Sequence, residues 1–162
     1  MFALRLAGLL ALAVWFGGLL VLGTVAAPAI FDVVGARQLG DGRAFAGALF
    51  GEMLRRFHLV SYGCGALLFL TFIARAVLGP RPRHFGIRLG IVVVMLAAAL
   101  YSGVVLTGRI ENLRKQIGVA PSSLAESDPR RVEFGRLHAQ STGMQVVPLL
   151  GAFILLAREL AD

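Results

Sequence analysis

Four stretches of this chain contain no Asp, Glu, Lys or Arg: residues 6–31, 57–74, 89–108 and 137–157, of 26, 18, 20 and 21 residues. As helices rising about 1.5 Å per residue they extend roughly 27 to 39 Å, matching a bilayer hydrocarbon core about 30 Å thick. Backbone polar groups in lipid must be bonded within their own segment, so apolar runs of this length form helices. The period-two alternation of a membrane barrel is absent. The pattern predicts an all-α membrane protein, a four-transmembrane-helix up-down bundle that uses residues 1–162 as one domain. Composition agrees, because 57% of the residues are hydrophobic and the mean hydropathy is +0.79, above the range of soluble domains.

The first run follows Arg5 and ends in the small residues "VAAPA", an arrangement that also suits a signal peptide. It is longer than a signal core, and Pro28 fits badly at a cleavage junction, so the segment is expected to stay as the first helix. Between the first two runs, Asp41 is placed to cap a helix. Its apolar positions Phe45, Ala46, Leu49, Phe50, Met53, Leu54 and Phe57 recur at helical spacing. This predicts an interfacial amphipathic helix before helix two. The next connection, "GPRPRHFG", reads as a tight turn. In the last, the third helix is expected to run on past its apolar segment and break at Pro121. The chain then restarts near Ser127 or Asp128, with Pro129 at a first helical position.

The formal charge is +7. In a soluble protein that excess would suggest nucleic acid, but here the arginines flank spans, where they set topology and meet headgroups, so the expected partner is the bilayer and no nucleic acid. Fifteen of the 16 basic residues are arginine, which fits a GC-rich bacterial genome and hence a bacterial inner membrane. Ten basic residues fall on the side of residues 37–56 and 109–136 against six on the other, which makes the first side cytoplasmic. Glycines within the spans, and the pairs Gly47/Gly51 and Gly86/Gly90, predict close helix approach and a possible homodimer or larger membrane complex. One cysteine, Cys64, excludes a disulfide framework.

The second and fourth spans open alike. "RFHLVS" (Arg56 to Ser61) and "RLHAQS" (Arg136 to Ser141) share Arg, an apolar residue, His, any two, and Ser. In an up-down bundle these two helices run parallel, so the motifs should sit at similar depth, as a parallel internal repeat would place them. On the fourth helix Ser141, Gln145 and Pro148 continue the histidine face at spacings of three, four and three. Intramembrane ionisable residues mark function by default, which makes His58 and His138 candidate metal ligands, with Ser61, Ser141 and Gln145 as polar support. The structural reading stands beside it: serines in spans bond back to carbonyls or hold helices together, and two histidines are too few to define a metal site. Cys64, Met95 and Met144 offer soft sulfur but are expected to pack, and Trp15, Tyr62 and Tyr101 are expected to be core or groove residues. Asp32 is placed to pair with Arg55 or Arg136. No nucleophile–base set, phosphate-binding glycine loop or Cys-x-x-Cys is present, so nothing demands an enzyme.

"WFGG", "APAIF", "FHLVSYGCG", "LTGRIENLR" and "FGRLHAQST" together resemble the transmembrane protein 205-like family over most of the chain. That resemblance implies a four-span protein of poorly defined activity, with a link to metal-complex handling through the platinum resistance associated with its animal member. A distant similarity to copper-resistance D membrane domains, and to the small membrane protoporphyrinogen oxidase that binds haem through histidine, implies a possible transition metal or haem b. The absence of any lysine from the spans departs from the oxidase pattern. Three readings follow. The pair His58 and His138 binds or helps move a metal ion or small solute between helices two and four; or the pair ligates haem b; or the chain is a structural or accessory subunit, with the polar stripe holding helices together.

Overall fold

The computed structural model describes residues 2–36, 42–79 and 83–161. Their regular structure is helical throughout: α1 (Phe2–Val21), α2 (Ala27–Ala36), α3 (Gly42–Leu78), α4 (Phe85–Leu100), α5 (Thr107–Ile117) and α6 (Pro129–Ala161). A π-helical turn, Leu22–Ala26, joins α1 to α2, and another, Tyr101–Leu106, joins α4 to α5. Four continuous helical stretches are long and apolar enough to cross a membrane: Phe2–Val34, Ala44–Leu78, Phe85–Ile117 and Pro129–Ala161. The chain is thus an integral membrane protein by length and hydropathy. Each stretch outruns the charge-free run within it, because Arg and Glu propagate a helix well and backbone bonding does not stop where apolar side chains do.

The widened turn at Leu22–Ala26 has a local cause. Pro28 has no N–H to give to the carbonyl of Thr24, and its ring crowds that carbonyl in a regular α-helix, which a π turn relieves. The Thr24 hydroxyl donates to the Leu20 carbonyl at 2.7 Å within the same turn.

Two expectations about the connections change. The segment before the second span is no separate interfacial helix; from Gly42 it is continuous with that span as one 37-residue helix. Asp41, expected to cap it, lies outside the described residues, as do Pro80, Arg81 and Pro82 of the Pro-Arg turn. The third stretch ends at Ile117, before Pro121, because Gly118 adopts φ +70° and its N–H closes the helix on the Arg114 carbonyl at 3.1 Å. Glycine takes that left-handed conformation without a Cβ clash, so it stops the helix first. Pro121 instead opens a short 3₁₀ turn, Pro121–Ser123. The restart is as read. Asp128 Oδ1 accepts the Arg130 backbone N–H at 2.9 Å, and Pro129 is the first residue of α6, where its missing N–H costs nothing.

The main contacts run α1 to α3, α3 to α4, α4 to α6 and α6 back to α1, so the four long helices close a ring. Inside it lie Leu12, Trp15, Leu68, Met95 and Leu155, with Cys64, Phe72, Val92 and Ala152. Cys64 and Met95 are therefore packing residues of this core. Trp15 is fully buried with its Nε1 unbonded among the described residues, while Tyr101 is exposed, so of the core or groove role expected for it the core half does not hold.

Candidate functional site

Polar side chains meet at two places. The first joins α3, the π turn after α4, and α6. His58 is 3% exposed; its Nδ1–H donates to the Leu54 carbonyl one turn back at 2.9 Å, which leaves the lone pair on Nε2. Gln145 Nε2 lies 3.0 Å from His58 Nε2 and 3.0 Å from Ser102 Oγ, so its two amide hydrogens serve both acceptors. Ser102, fully buried, meets Ser141 with hydroxyl oxygens 3.3 Å apart. From Gln145, which donates both ways, a continuous chain of hydrogen bonds reaches Leu54 through His58 and Ser141 through Ser102, with no charged group in it.

Local backbone chemistry sets this geometry. Ser102 is the second residue of the π turn, and its carbonyl takes the Thr107 hydroxyl at 3.0 Å. The neighbouring Gly103 lets α3 approach: a Cβ there would stand 2.1 Å from the Tyr62 hydroxyl and 2.8 Å from two His58 ring carbons. Only a residue without Cβ admits the ring at that distance. Tyr62 then donates to the Ala99 carbonyl at 3.4 Å, a second tie between the same helices.

The two histidine motifs diverge. His138 is exposed, and its ring lies parallel to that of Phe134 with centroids 6.2 Å apart. It precedes Gln145 by seven residues, about 10 Å along the helix. The contacts of the two rings share no residue among those described. Of the expected support, Gln145 and Ser141 join His58, whereas Ser61 turns back to the Phe57 carbonyl at 3.0 Å. Among the described residues no group of three or more His, Cys, Asp or Glu side chains converges as a metal site. Ser102 was missed because it sits in an apolar run; a Ser-Gly pair inside such a run is the signal that marks it.

The second cluster was read only as flanking charge. Glu159, 2% exposed near the end of α6, takes Arg88 Nη1 at 2.6 Å and Arg75 Nη1 at 3.0 Å; Arg5 Nε stands 3.5 Å from its other oxygen. Arg5 also donates to the Glu159 carbonyl, and Arg88 Nη2 to that of Arg158 at 3.4 Å. A carboxylate in a last helical turn opposes the helix dipole, so Glu159 needs these cations, and that conflict is the sequence signal for it. The pairing expected for Asp32 does not form. Arg55 takes Glu52 at 2.7 Å, Arg136 takes Glu133 at 2.8 Å, and Asp32 is exposed. Partners three residues away on the same helix outcompete one that must be brought from another.

No curated protein and no solved structure matches the chain. A family model does, over residues 10–118, which takes in His58 and Ser102 but ends before Ser141 and Gln145. That match covers more than half of the chain and three of its four long helical stretches, so the protein belongs to the family described as a domain of unknown function, DUF4149.

Proposed function

We propose that this is a structural or accessory membrane protein, a four-span up-down bundle of a bacterial inner membrane, whose His58–Gln145–Ser102–Ser141 chain locks three helices in register. The observation that carries the reading is the completeness of that chain. His58 spends Nδ1–H on Leu54 and Nε2 on Gln145, and Gln145 spends both amide hydrogens. In a bilayer, interhelical bonds of this kind replace a hydrophobic driving force that lipid cannot supply. A registered bundle with mostly apolar outer faces then suits assembly with a homodimeric copy or a larger membrane complex.

The test compares alanine variants at three positions. His58→Ala and Gln145→Ala are expected to lower thermal stability and partner assembly, and His138→Ala to leave both unchanged. Purified wild-type protein carrying a stoichiometric transition metal that His58→Ala loses would overturn the reading.

One observation favours a second reading, in which His58 binds a metal ion or small solute. Metal-ligating histidines commonly hold the distal N–H on a backbone carbonyl, as His58 does with Leu54, which presents Nε2 as the ligand atom. Gln145 would have to swing away to admit the ligand. Gln145→Ala then raises affinity for added Zn²⁺ or Cu⁺, whereas the structural reading predicts no binding in either form. The transmembrane protein 205-like resemblance, with its link to metal-complex handling, supports this second reading and leaves the first untouched.

A further inference from the structure

Between α4 and α6 the outer surface carries an apolar groove of about 490 Å³, lined by Ile87, Gly90 and Val94 on one wall and Val147, Gly151 and Ile154 on the other. Its depth comes from Gly90, where a Cβ would meet nothing within 4 Å. Ile87, Val94 and Ile154 are exposed, so the groove opens outward along the helices.

One end of the groove is basic. On α6 the lining positions 147, 150, 151 and 154 continue at helical spacing to Arg158. On the facing side Arg83 and His84, both exposed, precede α4. Among the described residues neither the Arg83 nor the Arg158 side chain has a carboxylate partner, unlike Arg5, Arg75 and Arg88, which Glu159 engages. An apolar channel along the spans that ends in two uncompensated guanidinium groups has the chemistry of one amphiphile: a hydrocarbon chain joined to an anionic headgroup.

We infer that the α4–α6 groove is a binding site for an anionic phospholipid, its acyl chain along Gly90 and Gly151 and its phosphate between Arg83 and Arg158. Charge decides against the other natural occupant, a second copy docking through the Gly86/Gly90 face. Two copies apposed there would bring two sets of unpaired arginines together, whereas phosphate neutralises one set and bonds to guanidinium in forked geometry. This inference is independent of the His58 chain, none of whose residues lines the groove.

Native mass spectrometry of protein from nanodiscs of equal phosphatidylglycerol and phosphatidylcholine tests it. One retained lipid is expected, enriched in phosphatidylglycerol by about fivefold for each arginine, roughly 25-fold together. Arg83→Gln and Arg158→Gln each reduce the preference about fivefold, and the double variant brings it near parity. Gly90→Leu fills the groove and removes the retained lipid whatever its headgroup, with helicity by circular dichroism unchanged. Equal retention of both lipids by the wild type, or an unaltered preference in the double variant, overturns the proposal. So does efficient disulfide cross-linking between Val94→Cys copies, which would place a second chain in the groove.

Discussion

His58 Nε2 and the side-chain nitrogen of Gln145 lie 3.0 Å apart across the interface of α3 and α6, 87 residues apart in sequence. With Nδ1–H held by Leu54, the imidazole can only accept at that contact, and the Gln145 amide is oriented to donate. The pair therefore fixes the tautomer of one residue and the amide orientation of the other, and Ser102 receives what remains.

Gln145→Leu keeps the volume and removes both donors. Stranding two buried acceptors costs about 1–3 kcal/mol by soluble-protein measures, and closer to about 0.6 kcal/mol for an average interhelical bond in lipid. A loss of roughly 1–2 kcal/mol is expected in detergent unfolding equilibria. A double-mutant cycle with His58→Phe should show coupling; strictly additive losses would mean the contact contributes nothing beyond shape.

Gly103→Ala inserts a methyl group against His58 and Tyr62, so it should cost about 1–3 kcal/mol and disturb the same network. Gly63→Ala is the matched control, since its Cβ meets nothing within 4 Å, and it should be neutral or slightly stabilising through helix propensity. Equal effects of the two substitutions would show that close approach at Gly103 is not limiting.

Glu159→Gln leaves Arg5, Arg75 and Arg88 around a neutral amide. Removing the acidic member of a buried ion cluster is expected to cost about 3–5 kcal/mol, because the Arg88 charge stays in place. A fall in the melting temperature larger than that of Glu133→Gln, whose exposed pair with Arg136 is worth little, is the measurable outcome.

Asp128 couples the start of α6 to pH. The Arg130 side chain and backbone N–H both bond its carboxylate and hold its pKa below the ordinary aspartate value. A depressed folded-state pKa stabilises the charged form, so the contribution is complete above the unfolded value of about 4 and is lost as pH falls through the lower folded one. Hydrogen exchange of the first α6 amides should speed up in that acid window. Asp128→Asn should exchange quickly at neutral pH and lose the acid dependence.

The helices themselves were legible in the chain, because lipid imposes a one-dimensional rule: enough consecutive apolar residues must close their own backbone bonds. So was the start of α6, since Pro129 and Asp128 act on the backbone beside them. The Gly118 stop was local too, a positive-φ cap that outranked the more conspicuous Pro121. Nothing local separated the two histidine motifs. "RFHLVS" and "RLHAQS" carry the same pattern, and which ring is covered depends on what the neighbouring helices bring to its height in the bundle. Packing of α3 over Gly103 brought His58 to the height of Gln145 and Ser102, while His138, on the same face of α6 but two turns earlier, stayed exposed beside Phe134. Arg88 and Glu159 likewise read as flanking charges until the helix ends met, because an ion pair between residues 71 positions apart exists only once tertiary structure has removed both from water.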